Sequence, residues 1–185
     1  LLLETAEAAY LAADFEALDD LIGQLEQRPL DVLTHTRVAE LQIQGMMARN
    51  QMAAALALGE QALARLDVPL LPLAPPSDWP AVPSLGQLRL SDPPNPRVDA
   101  ALRVLVWLTP CAYVTSFDSY IRVILTMVGL ANAHPASPLT ALAYTNFGLV
   151  LCGTGQWQAG FAASELALDL NETDTDDTRR CKVNT

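Results

Sequence analysis

Charge is scarce in this chain of 185 residues, and most of it has one sign. Charged residues make up 17% of the sequence, with 11 Lys or Arg against 21 Asp or Glu and a net charge of −10. Binders of nucleic acid neutralise phosphates with Lys and Arg, and anionic membranes attract basic patches. No nucleic-acid partner and no membrane partner are therefore expected, and the acidity reads as solubility. Histidine is nearly lacking: His35 and His134 lie about 100 residues apart, with no carboxylate or thiol at ligand spacing, so each reads as a surface or capping residue and no metal site is expected. Cysteine is limited to Cys111, Cys152 and Cys181, with no C-x-x-C pair, which predicts a reduced, cytoplasmic setting with the thiols as small core residues. A G-x-x-x-x-G-K-[ST] phosphate loop is missing. The most apolar region, residues 100–131, is broken by Arg103, Pro110, Asp118 and Arg122, so no membrane span is expected.

What the chain does have is helix-forming apolar residues. Apolar residues reach 51%, much of that share Ala and Leu. Their spacing predicts helices in pairs. Leu2, Ala6, Ala9 and Ala13 share one helix face, and Asp14 is placed to cap the next helix, whose stripe is Phe15, Leu18, Ile22 and Leu25. A second pair starts near Asp31 or Thr34, carries Val38, Leu41, Gly45 and Ala48, turns at Asn50, and continues through Met52, Ala55, Leu56, Gly59, Ala62 and Leu63. Gly59 costs about 1 kcal/mol in a helix interior, which a close helix crossing would explain. Phe15 and Met52 hold equivalent places in the two pairs.

Residues 67–96 differ in kind, because nine of the thirteen prolines fall there. Proline lacks an amide donor and restricts its predecessor, so no long helix is expected. Leu70, Leu71, Leu73, Trp79, Val82, Leu85 and Leu88 predict an extended segment that buries these side chains against helices. A third pair follows over 97–134, with Val98, Leu102, Leu105, Val106 and Thr109 on one face. Pro110 is expected to kink or end its first helix, and Ser116 or Asp118 to cap its second. The fourth pair, over 135–170, carries Leu139, Ala143, Phe147, Val150 and Leu151, a Gly153-Thr154-Gly155 turn, then Trp157, Gly160, Phe161, Ser164, Ala167 and Leu168. A further helix is expected to open within 171–185, where the acidic Glu172, Asp174, Asp176 and Asp177 suit a helix N-terminus. Both ends read as cut, so the chain is expected to be an excerpt of a longer protein, forming one helical-repeat domain with two hairpins in 1–66.

The run of Tyr144, Gly148, Cys152-Gly153 and Gly155-Gln156-Trp157, together with Asp92, Thr109-Pro110-Cys111 and Met127 through Leu130, resembles the tetratricopeptide-like helical-repeat region of large multidomain signalling proteins. Those proteins join a protein-kinase-like domain and an AAA-type ATPase to such a region, followed by GAF and histidine kinase or diguanylate cyclase modules. The likeness is densest from Asp92 to Leu170 and weak over 69–96, and the family's usual Gly-Asp turn is here Gly155-Gln156. The resemblance implies an all-α, right-handed stack of helical hairpins with a Pro-rich extended insertion. It also implies a non-catalytic protein-interaction and signal-relay role, with no cofactor, neighbouring domains or other proteins as partners, and self-association through exposed repeat ends. None of the family's catalytic modules lies within these residues.

No enzyme is expected from the residues themselves. Ser116, Asp118 and His134 form a hydrolase triad only on paper, since nothing sets a nucleophile on a strained elbow. Trp79, Trp107, Tyr113, Tyr120 and Tyr144 are the candidate groove or partner surface, with Trp79 placed to plug the groove from the proline segment. Phe147 and Trp157 read as core. A small-molecule or peptide sensor that binds its ligand in the concave groove is the alternative function.

Overall fold

The computed structural model describes residues 1–90, 93 and 95–173. Asp92, Asp174, Asp176, Asp177, Cys181 and the helix expected beyond α8 lie outside the described residues. Within them there are eight α-helices and no strand: α1 (Leu2–Leu11), α2 (Phe15–Glu26), α3 (Val32–Ala48), α4 (Met52–Arg65), α5 (Pro96–Thr115), α6 (Phe117–Ala133), α7 (Thr140–Gly153) and α8 (Trp157–Thr173). The chain forms two compact units, one of Leu1–Leu70 with Arg103–Tyr120, the other of Leu71–Leu102 with Ile121 onward. One boundary between them falls in the proline-rich segment after Leu70, the other two inside α5 and α6.

Three hairpins reverse direction in the same way. After α1, α3 and α7 the chain places one residue in the left-handed region: Ala13 (φ 56°), Asn50 (φ 59°) and Gly155 (φ 84°). The N–H of that residue donates to the carbonyl three residues back, Tyr10, Met47 or Cys152, at 2.9, 2.9 and 3.1 Å. The next N–H donates five residues back, from Asp14 to Ala9, Gln51 to Met46 and Gln156 to Leu151, at 3.0, 2.8 and 2.9 Å. This is the Schellman closure, which satisfies the last helical carbonyls. Asp67 (φ 62°) ends α4 with the same bonds. Ala13, assigned from its spacing to the face of α1, is in fact the turn residue.

Helix starts follow local chemistry. Asp14 accepts from Ala17 N–H at 3.1 Å, and Asp31 accepts from Leu33 and Thr34 N–H at 3.0 and 3.1 Å. Asn95 caps α5 and Pro96 fills its first position, where the missing N–H costs nothing. Ser116 Oγ receives the Ser119 N–H at 3.1 Å and so caps α6. Pro110 does not end α5, which continues to Thr115.

In the first unit α1 packs on α2, and α3 packs on both and on α4. Ala6, Leu18, Ile22, Leu25, Val38 and Leu41 form the core of this group. Glu40 lies in the middle of α3 with its side chain fully buried. Arg37 reaches its Oε2 at 2.7 Å and Arg103 of α5 reaches its Oε1 at 3.1 Å. Arg37 also holds Glu7 of α1 at 2.7 and 3.0 Å. Burial works to lower the Arg37 pKa, but the bonds to Glu40 and Glu7 outweigh it and raise it. The expected close crossing at Gly59 is present: a Cβ there would sit 2.6 Å from Leu108 Cδ1, and Leu108 is fully buried.

In the second unit α7 and α8 cross at glycines. A Cβ on Gly160 would meet the Gly148 carbonyl oxygen at 3.0 Å and Cys152 N at 3.2 Å, both backbone atoms. Between α4 and α5 the described proline-rich residues form no α-helix, only three-residue 3-10 turns at Pro76–Asp78 and Leu85–Gln87. Leu71 joins this segment to α6 through both of its backbone groups, its N–H donating to Thr126 Oγ1 (2.9 Å) and its carbonyl accepting from Arg122 Nε (3.0 Å). The segment's apolar side chains bury less than their sequence predicts: Leu71 and Leu73 are exposed, and Leu70, Trp79, Val82, Leu85 and Leu88 are half-buried.

Two stability predictions follow from these contacts. Arg37 and Arg103 each keep part of their side chains in water, whereas Glu40 keeps none. Replacing both arginines by Met should therefore cost about 3–5 kcal/mol by stranding a buried charge, and Glu40→Gln only about 1–3 kcal/mol. Urea denaturation at neutral pH checks the order, and the reverse order would refute the assignment. Ala13→Gly should raise stability by about 1 kcal/mol, because glycine carries no left-handed penalty, and Gly155→Ala should lower it by a similar amount.

Candidate functional site

Among the described residues no cluster of three or more His, Cys, Asp or Glu is placed to hold a metal. Cys111 is fully buried beneath the Trp107 carbonyl, and its burial raises the thiol pKa. Ser116 spends its hydroxyl on the α6 cap and on Ser119. The Gly153-Thr154-Gly155 stretch is the α7–α8 turn, closed by the N–H groups of Gly155 and Gln156 on the last carbonyls of α7.

Of the five aromatic residues expected on a groove, Trp107, Tyr113 and Tyr120 belong to the first unit and Trp79 and Tyr144 to the second. Tyr113 of α5 is 66% exposed and meets Tyr120 of α6 edge-on at 5.4 Å between ring centres. Tyr120 itself is buried, and Phe117 packs against it at 6.2 Å. Trp107 is half-buried. In the second unit Trp79 is half-buried, donates its indole N–H to the Ala74 carbonyl at 2.8 Å, and tilts against Phe147 at 6.4 Å. Tyr144, expected on a groove, is fully buried in α7 and donates its hydroxyl to Asn132 Oδ1. Its hydroxyl ties the core of α7 to the end of α6.

Trp157 requires a correction. Its spacing suggests core, yet it is 65% exposed. Phe161 (66%) and Leu168 (50%) lie along the same side of α8. The face of α8 that turns inward is Gly160, Ala163, Ala167 and Leu170, with Leu166 beside it. The glycine crossing decides between the two stripes: α7 approaches so closely at Gly148 and Gly160 that only small residues fit between the helices. The result is an uncovered apolar stripe on α8, bordered by Glu165 and Glu172.

A second feature is a polar cavity of about 210 Å³ at the end of α6, lined by Gln87, Arg89, Asn132, Ala133 and Pro135. Neither it nor the α8 stripe is signalled by a motif. Among the described residues one helix, α5, is long and apolar enough to cross a membrane by length and composition. It is also a core helix: Val98, Ala101, Leu102, Leu105, Leu108 and Ala112 are buried, and Arg103 is engaged with Glu40.

No family model, no curated protein and no solved structure matches this chain.

Burial pushes the Tyr144 hydroxyl up to about 12, and burial followed by the neighbouring Tyr113 charge raises Tyr120. A raised folded-state pKa gives stability that is fully present below the unfolded value near 10 and is lost as pH rises through the folded value. Unfolding free energy should thus fall between pH 10 and about 12. Tyr144→Phe should lose about 1 kcal/mol at neutral pH with its Asn132 bond, yet show a shallower alkaline decline. Denaturation across pH, with ultraviolet tyrosinate titration, measures both; an unchanged alkaline slope would refute the role of Tyr144.

Proposed function

We propose that this chain is a non-catalytic interaction and relay segment, built as a tetratricopeptide-like, right-handed stack of hairpins with the proline-rich residues as an extended insertion. In this reading it belongs to a multidomain signalling protein and meets neighbouring domains or other proteins in a cytoplasmic setting. The observation that carries the reading is the uncovered stripe of Trp157, Phe161 and Leu168 on α8. A repeat hairpin has apolar flanks on two sides and leaves one bare unless another helix covers it. Large aromatic side chains at such a place supply contact area with few rotors to freeze. The shared turn of α1–α2, α3–α4 and α7–α8 supports a repeated unit. The relay step is mechanical: an occupant that prefers one curvature of the stack shifts the population toward it.

The occupant of the stripe is another amphipathic helix, supplied in the isolated chain by a second copy. Light scattering and sedimentation of the purified chain should show reversible self-association that grows with concentration. Trp157→Ser with Phe161→Ser should shift it toward monomer while leaving the helical circular dichroism signal intact, since both side chains stand in solvent. A clean monomer at high concentration, or association indifferent to the two substitutions, would reject this use of the face.

A further inference from the structure

Among the described residues, the polar side chains that line the cavity at the end of α6 have donors left over. Gln87 spends its amide oxygen on the Ser84 N–H at 2.8 Å, which leaves its NH2 group to donate. The oxygen must face Ser84, because a backbone N–H needs an acceptor. Asn132 spends its amide oxygen on the Tyr144 hydroxyl, which likewise leaves an NH2 group. Tyr144 is locked in the core, so the Asn132 amide is held from behind by a fixed group. Arg89 adds a guanidinium, five donors in a planar fork with no acceptor. Ala133 and Pro135 also line the cavity.

We propose that this cavity binds a small carboxylate. A carboxylate offers two coplanar oxygens, which the guanidinium fork matches in pairs while the two amide NH2 groups take the remaining lone pairs. The volume, about 210 Å³, admits a few-atom anion and not a drug-sized ligand. Two features favour a single negative charge over a phosphate dianion. The cavity lies at the C-terminal end of α6, where the helix dipole is negative, and the whole chain carries a net charge of −10. The site stands apart from the α8 stripe in its chemistry and does not depend on it.

The test uses the intact, isotopically labelled chain and follows the side-chain NH2 signals of Gln87 and Asn132 by NMR. Acetate, inorganic phosphate and chloride are titrated separately at constant ionic strength and neutral pH. Acetate should shift both signals saturably, with a Kd of about 1 mM or tighter. Arg89→Gln should weaken binding by about tenfold or more, and Arg89→Lys should fall between, because it keeps the charge and loses the fork. Arg89 is exposed, so neither change should disturb the fold, which circular dichroism checks. Tyr144→Phe should also weaken acetate binding, by releasing the Asn132 amide. The proposal is overturned if acetate gives no saturable shift, if Arg89→Gln responds like the parent, or if phosphate or chloride binds as tightly as acetate.

Discussion

A helix can fold back along its own neighbour only if the chain turns sharply while its last carbonyls stay satisfied. In this protein that requirement falls on single residues with positive φ, at Ala13, Asn50 and Gly155. Each closes two backbone bonds onto the helix it terminates and sends the next N–H back across five residues. Everything that follows depends on the direction so fixed. Phe15, Met52 and Trp157 each open the returning helix two residues later, so the three hairpins leave their turns in the same register. Asparagine and glycine tolerate this conformation; alanine tolerates it poorly and is held there by the bonds around it.

Once the helices run side by side, two kinds of contact fix how closely they lie. Where the approach is closest the side chain is reduced to hydrogen, as at Gly59 beneath Leu108 and at Gly148 and Gly160 between α7 and α8. Where three helices of the first unit converge, the core admits a carboxylate. Glu40 is acceptable there because Arg37 and Arg103 both reach it while keeping contact with water. Such a group adds little net stability over an apolar residue, but it is satisfied in only one arrangement of α1, α3 and α5. The second unit uses a related device at Leu71, whose backbone N–H and carbonyl both find side chains of α6 in place of a strand partner.

Much of the helical architecture was legible in the sequence because it rests on local chemistry. Asp14 announced a helix start, two others were narrowed to Asp31 or Thr34 and to Ser116 or Asp118, Asn50 and Gly155 announced turns, and Gly59 announced a close crossing. Of the two outcomes expected at Pro110, a kink or an end, the end does not occur, since a helix formed on either side loses only one donor there. The exposed stripe of α8 was not legible. Trp157, Phe161 and Leu168 form one apolar line, and Gly160, Ala163 and Ala167 form another beside it; hydrophobicity alone favours the larger residues as core. The closeness of α7 reverses the choice, and closeness is a property of the pair of helices. The burial of Tyr144 and Tyr120 is hard to read for a similar reason, since a tyrosine suits an interior and a surface alike. The cavity at α6 depends on which oxygen of which amide is already engaged, which no spacing encodes.

The placement of the three tryptophans has an optical consequence. Trp79 and Trp107 are half-buried and Trp157 stands in solvent, so the chain holds indoles in two different polarities. Emission from Trp157 lies to the red and is open to collisional quenchers such as iodide, whereas the other two are better shielded. Whatever comes to rest on α8 changes the colour and quenching of one indole and leaves the remaining two as an internal standard. The molecule thus carries a built-in fluorophore on an exposed apolar helix face, readable with no label attached.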